Sequence, residues 1–127
     1  MREKIETQGA PAPIGPYSQG IIASGSFLFV AGQSAKDPRT GQMPQDFRSQ
    51  AERCLENVKA IVEAAGASLA DAVKINVYLK DLANFPVLNE VYGKYFVQPY
   101  PARTTVGAEI PGAGVQVEID AIVALKK

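Results

Sequence analysis

The C-terminal segment of the chain constrains the fold more than any other feature. Residues 115–125 read VQVEIDAIVAL, in which every second residue is apolar. The positions between them are polar from Gln116 to Asp120 and apolar from Ile122 onward. Because side chains alternate between the two faces of a strand, this run predicts a strand with one fully apolar face and a second face of mixed character. The fully apolar face consists of Val115, Val117, Ile119, Ala121, Val123 and Leu125.

Two helices are predicted from apolar residues at helical spacing. The first runs from about residue 46 to 65, with Asp46 as its N-terminal cap and Gly66 closing it. The second runs from about residue 84 to 96 and accepts Pro86 in its first turn. Two helices can cover only one side of a sheet, so apolar surface is left over on the other side. A homo-oligomer in which sheets of several chains meet would bury it.

The other strands follow from β-branched and aromatic runs. Gly25 separates two such runs, which predicts a hairpin. In the second run Phe27 and Phe29 alternate with apolar residues, so both faces of that strand favour burial. The predicted order is ββαβαββ in a single α+β domain spanning residues 1–127, with no linker and no repeat. The strands are expected at 20–24, 26–31, 72–80, 103–109 and 115–125.

Residue types that are missing exclude several kinds of site. The chain has no histidine and one cysteine, Cys54, so Ser-His-Asp and Cys-His sites and the usual zinc ligand sets are excluded. No phosphate-binding glycine motif is present, and we expect no cofactor. Cys54 lies beside the apolar stripe of the first helix, which favours a packing role.

Charge and hydropathy narrow the possible partners and location. The formal net charge is zero, with 13 basic and 13 acidic residues and no run of like charges, so no nucleic-acid partner is expected. No segment has the length of a membrane span or of a signal-peptide core, and a single cysteine suits a reducing compartment. We therefore expect a cytoplasmic protein without a membrane partner.

A charged pair offers two interpretations. Arg103 begins the strand 103–109 and shares a face with Thr105, while Glu118 lies on the mixed face of the last strand. The two could approach if these strands, or strands of adjacent subunits, pair. Arg103 then either forms an ion pair with Glu118 or binds a substrate carboxylate and leaves a base free. Alternation does not choose between Glu118 and Asp120 as that base, because both have the same parity.

Two further residues have a structural and a functional interpretation. Tyr17 lies in the rigid segment APIGPYSQG, residues 12–20, either as an aromatic at the edge of the core or as a donor held over a pocket. Gly32 ends a buried strand, either as a simple strand end or as a point where backbone N–H groups approach a ligand.

The motifs together resemble one family. The segments APIGPYSQG, AGQ…DPRTG, NVKAIVEAAG, VYLKDLANF…NEVYGKYF, PAR and VEIDAIV occur in order from about residue 8 to 125, and they resemble the RidA family of reactive intermediate deaminases, also called the YjgF family. The resemblance implies a chorismate-mutase-like fold: a mixed sheet with two helices packed on one face, and a homotrimeric barrel with sites between subunits. The implied activity is cofactor-free hydrolysis of enamines and imines, such as 2-aminoacrylate and 2-imino acids, to 2-oxo acids and ammonia.

The resemblance also implies roles for individual residues. Arg103 of PAR would bind the substrate carboxylate, and Glu118 of VEI would orient or deprotonate water. Tyr17 and Gly32 would line the pocket. Asn89 of NEVY matches a family asparagine with a mainly structural role.

The chain departs from the usual motifs at residues 31, 104 and 105. Ala31 stands where serine is common, and Thr104 and Thr105 stand where relatives often have serine and cysteine. Since Ala31 and Thr105 would flank the pocket in a protein of this family, we expect these departures to affect substrate preference.

Two other functions compete with deamination. One is an endoribonuclease, which zero net charge disfavours. The other is a small-carboxylate-binding or chaperone-like protein, which would need Arg103 but not Glu118.

Overall fold

The computed structural model describes residues 2–125 and contains two α-helices, two 3-10 turns of three residues and six strands there. Helix α1 begins after Asp46, whose carboxylate accepts a hydrogen bond from the Ser49 N–H at 2.9 Å, and Gly66 follows its end with a φ of +82°. Both helices lie where the sequence predicts them. The elements are β1 Arg2–Ile5, β2 Gly20–Ala23, β3 Phe27–Gln33, α1 Phe47–Ala64, β4 Ala72–Leu79, α2 Phe85–Tyr95, β5 Ala102–Gly107 and β6 Val117–Ala124.

The main sheet is mixed and has the strand order β3-β6-β4-β5. Strand β6 is antiparallel to both neighbours, whereas β4 and β5 are parallel. The predicted hairpin of β2 and β3 is wrong. Strand β2 pairs with β1, a strand that the predicted order ββαβαββ lacks, and β3 pairs with the longer β6. The polar sequence REKI of β1 carries little strand signal, and β6 offers β3 a more apolar partner.

One face of the main sheet forms the core with the helices. Helix α1 packs on β3 and β6, and α2 packs against α1. On β4 the buried residues Ile75, Val77 and Leu79 confirm the predicted alternation, but Val73 is half-buried because the ladder with β6 shifts register between Ala72 and Lys74. On β6 the helix-facing residues are Val117, Ile119, Ala121 and Val123.

The opposite face of the sheet remains open and keeps apolar surface, as the sequence predicts. Phe29 on β3 is 72% exposed, and Val106 on β5 is also exposed. Beside them Asp120 accepts hydrogen bonds from the Asn76 amide at 2.8 Å and the Tyr78 hydroxyl at 3.0 Å. The hydrogen bond to this carboxylate raises the pKa of Tyr78.

Cys54 packs within the core beneath β3. Its Sγ lies 3.0 Å from the Gln33 carbonyl oxygen, and burial raises the pKa of the thiol to about 12. A thiol that stays protonated at neutral pH is a poor nucleophile, which agrees with a packing role.

Candidate active site

Arg103 lies on the covered face of the sheet, where an arginine is unusual. Its register partner on β4 is the fully buried Ile75, so both side chains point towards the helices, and Arg103 is only 9% exposed. Three aromatic rings surround the guanidinium. Its Cζ lies 4.9 Å from the ring centre of Tyr92, 5.1 Å from that of Tyr17 and 5.6 Å from that of Phe85.

The position of Tyr17 follows from hydrogen bonds of the next residue. The Ser18 N–H donates to the Pro101 carbonyl at 3.0 Å, and the Ser18 hydroxyl donates to the Tyr100 carbonyl. These bonds attach the loop 12–19 to the start of β5, two residues before Arg103. The Tyr17 hydroxyl accepts from the Ile14 N–H at 3.3 Å, and its own proton has no acceptor among residues 2–125.

The guanidinium is buried without an anion. Among residues 2–125 no carboxylate pairs with Arg103, and its buried Nη1 has no hydrogen-bond partner. Desolvation lowers the pKa of Arg103, and Tyr92 and Tyr17 oppose that effect. Cation–π contacts offset part of the desolvation cost but do not satisfy the N–H donors. This arrangement suits an anionic ligand with planar oxygen acceptors.

Other polar atoms around Arg103 are also unsatisfied. The Asn89 Oδ1, the Thr105 Oγ1 and the Tyr92 hydroxyl are buried and lack hydrogen-bond partners within the described part of the chain. Gly15 leaves room for this cluster, because a Cβ there would lie 3.3 Å from Arg103 Nη2 and 3.4 Å from both amide atoms of Asn89. Buried polar groups are rarely left unpaired in this number, which marks the cluster as a candidate ligand site.

Glu118 belongs to a second cluster on the open face. Its register partner on β4 is Tyr78, and its carboxylate lies against the backbone of Gly32 on β3. The ladder between β3 and β6 is interrupted between Val30 and Gln33, so Ala31 and Gly32 have no partner in it. The exposed Ala31 and Gly32 thus present irregular backbone next to a carboxylate. Gly32 also lines a cleft of about 460 Å³ that the segment after it forms with helix α1.

The predicted approach of Arg103 and Glu118 does not occur within one chain. Strand β4 lies between their strands, and the two side chains point to opposite faces of the sheet. With neighbouring strands about 4.8 Å apart, the strands that carry them are about 10 Å apart. The ion-pair interpretation is therefore wrong for a single chain, since alternation along a strand does not reveal its register with other strands.

The structure thus divides the predicted site residues into two clusters. Arg103, Tyr17, Asn89 and Thr105 lie in the arginine cluster, and Glu118, Gly32 and Ala31 lie in the glutamate cluster. Sequence reasoning missed Phe85 and Tyr92 as parts of the arginine cluster. Their spacing of seven residues puts both on one side of α2, a signal that also fits ordinary core packing.

Gly32→Ala tests how close the backbone must come to Glu118. A Cβ at this position would lie 2.8 Å from Glu118 Cδ and closer still to Oε2, so the carboxylate must move. We expect kcat for any Glu118-dependent reaction to fall by about 10- to 100-fold, the cost of a misplacement of about 1 Å. Gly93→Ala on α2 is the matched control, since its Cβ meets no atom within 4 Å. Unchanged kinetics in Gly32→Ala would contradict the assigned contact.

None of the described helices has the length and hydropathy needed to cross a membrane.

Known proteins resemble this chain over nearly its whole length. A family model described as Endoribonuclease L-PSP matches residues 7–125. A RutC family protein of Pyrococcus horikoshii is 51% identical over 123 residues, which cover 96% of this chain and 97% of that protein. The 2-iminobutanoate/2-iminopropanoate deaminase of Salmonella typhimurium is 44% identical over 125 residues, covering 96% and 97% of the two chains.

A solved structure of a similar protein also matches the fold of this chain. The crystal structure of Escherichia coli TdcF with bound serine has a TM-score of 0.75 and 43% identity, and the match covers 98% of this chain and 99% of that one. The sequence motifs, the α+β fold and these matches agree, and the chain belongs to the RidA family.

Proposed function

We propose that this protein hydrolyses 2-imino acids, and their enamine tautomers such as 2-aminoacrylate, to 2-oxo acids and ammonia. The observation that carries the proposal is the buried Arg103 guanidinium, which has an unpartnered Nη1 and no carboxylate partner among the described residues. A 2-imino acid supplies the missing carboxylate. The 2-iminobutanoate/2-iminopropanoate deaminase name of the Salmonella typhimurium relative supports this substrate class, as does the serine bound in the Escherichia coli TdcF structure.

The active site is proposed to form between chains. One chain contributes the arginine cluster, and a neighbour contributes Glu118 with the backbone of Gly32. This assembly brings together two groups that β4 separates within a chain. A homotrimer, as the family resemblance implies, would also bury open-face apolar surface such as Phe29.

The reaction then needs positioning and one base. Two guanidinium N–H groups of Arg103 hold the carboxylate and thereby place the electrophilic imine carbon. Glu118 accepts a proton from water as the water oxygen bonds to that carbon. The C=N π electrons move to the nitrogen, which takes up a proton from solvent to give the amino alcohol. Glu118 then returns its proton to that nitrogen, the C–N bond breaks and ammonia leaves, while the hydroxyl oxygen forms the C=O bond of the 2-oxo acid and gives its proton to solvent. No cofactor takes part.

The other predicted residues shape the pocket. The Tyr17 hydroxyl has a proton that it can donate to the substrate. The side-chain amide of Asn89 adds a further polar group near Arg103. Thr105 and Ala31 flank the pocket from the two chains, and we propose that their size affects which imine side chain fits.

Ammonia release tests the proposal. Imines are generated in place by an amino-acid oxidase or a dehydratase, and ammonia formation is followed with and without the protein, across several side chains. Acceleration for one or more imines is the expected result. No acceleration for any imine would overturn the proposal.

A binding protein for small carboxylates is the second candidate. It is favoured by one observation: the arginine cluster lies complete within a single chain, away from Glu118. Calorimetric binding of serine or of a 2-oxo acid without any ammonia release would select it.

A further inference from the structure

Helix α1 carries a row of side chains that hydrogen-bond to backbone on both sides of the glutamate cluster. Gln50, Cys54 and Asn57 follow one another at spacings of four and three residues, so they share one side of the helix. Helix α1 packs on β3 and β6, the two strands that carry Gly32 and Glu118. The row therefore contacts a backbone segment close to each of these two residues.

Gln50 binds the segment that leads into β6. Its Nε2 donates to the Pro44 and Gly114 carbonyls, both at 2.9 Å, and its Oε1 accepts from the Gln116 N–H at 3.0 Å. The side chain is 1% exposed, and both amide protons are used. Gln116 precedes Glu118 by two residues, so Gln50 binds the residue directly before β6.

Asn57 and Cys54 bind the segment that leaves β3. The Asn57 Nδ2 donates to the Ser34 carbonyl at 2.9 Å and to the Lys36 carbonyl at 2.8 Å. Its Oδ1 accepts from Arg53 Nη2 at 2.9 Å, which defines the orientation of the amide. Cys54 Sγ contacts the Gln33 carbonyl. The backbone is thus held from the residue directly after Gly32 onward.

These contacts add to those of the sheet, in which the β3–β6 ladder resumes at Gln33, paired with Ile119. Ladder pairing of β3 with β6 is interrupted at Ala31 and Gly32, where Glu118 lies against the backbone. We propose that Gln50 and Asn57 are positioning residues for the deaminase reaction, which set the position of the Glu118 carboxylate relative to the Gly32 backbone. This inference rests on the proposed function and goes beyond it, since neither residue touches the substrate.

Isosteric variants test the proposal with little change in volume. Gln50→Glu and Asn57→Asp each replace a two-proton donor with an oxygen that faces two carbonyls, so the held backbone must shift. We expect kcat per folded protein to fall by about 10- to 100-fold, as for a misplacement of about 1 Å, with KM unchanged because Arg103 still anchors the carboxylate. Glu63→Gln on the exposed part of α1 is the control and should keep wild-type kinetics.

A pH series separates positioning from a merely structural role. Lowering the pH protonates the new carboxyl of Gln50→Glu and returns one donor, and burial shifts this protonation to higher pH. The ratio of its kcat to that of the wild type should therefore rise as the pH falls. A structural role would lower the melting temperature and leave this ratio flat.

Nuclear magnetic resonance gives a readout that does not depend on catalysis. The resonances of the Gly32 amide and of the Glu118 carboxyl carbon should change position in Gln50→Glu and Asn57→Asp. They should not change in Glu63→Gln. Unmoved signals together with wild-type kcat would overturn the inference. The two proposals can fail separately. If the resonances move but the wild type releases no ammonia, the positioning role is supported and the deaminase function is rejected.

Discussion

Arg103→Met is expected to lower kcat/KM for imine hydrolysis by about 100- to 1,000-fold, within the range of losing one partner of a buried charge pair. In the proposed reaction the substrate carboxylate then loses both of its donors, and the imine carbon is no longer held for attack. Methionine fills similar space among the Tyr17, Phe85 and Tyr92 rings that surround Arg103. Since the variant removes a buried cation that has no ion-pair partner among the described residues, the melting temperature should hold or rise.

That combination distinguishes a ligand site from a structural arginine. Steady-state kinetics with imines generated in place give kcat/KM, and thermal unfolding gives the melting temperature. Arg103→Lys keeps the charge but not the planar pair of donors, so it should recover only part of the activity. A large loss of stability with little loss of kcat/KM would show that Arg103 serves the fold.

Glu118→Gln is expected to lower kcat by about 100- to 10,000-fold, the usual contribution of a general base. KM should change little, because the carboxylate is still held by Arg103. Glutamine has nearly the same volume, so the contact with Gly32 survives and the effect reports the lost base rather than a repacked site. Asp120→Asn is the matched variant on the same face of β6. If Asp120→Asn lowers kcat more than Glu118→Gln does, Asp120 and not Glu118 is the base.

Mixing the two inactive proteins tests where the site lies. Under the proposed assembly, co-expression of Arg103→Met with Glu118→Gln chains should form hybrid oligomers in which some interfaces pair an intact Arg103 with an intact Glu118. With random assembly of equal amounts in a ring, about a quarter of the interfaces are intact, and about a quarter of wild-type activity should return. Activity that stays at the level of the two parents would place both residues in a one-chain site.

Local signals in the sequence predicted the helices and most strands well. Asp46, Gly66 and Pro86 mark helix ends through local hydrogen bonding and backbone geometry, which do not depend on the rest of the fold. The alternation in β6 predicted its covered face because a single strand contains that information. Strand β1 was missed because its four residues have no apolar alternation to detect.

Relations between strands were harder to predict. The pairing of β3 with β6 instead of β2, and the opposite orientations of Arg103 and Glu118, depend on register that no single segment contains. The same holds for Gln50 and Asn57, whose partners lie more than 20 residues away in most cases. The residue types at the candidate site were predicted from the motifs and the family resemblance, but its division into two clusters required the fold.

Because Arg103 and Glu118 lie on opposite faces of one sheet, the proposed carboxylate pocket of an isolated chain has no Glu118 beside it. Under the proposed assembly, dilution below the oligomer's dissociation constant would switch the reaction off while leaving each chain folded. Specific activity would then rise with protein concentration, whereas an enzyme with a one-chain site keeps it constant. The abundance of the protein would thus determine both the number of chains and the fraction of them able to catalyse.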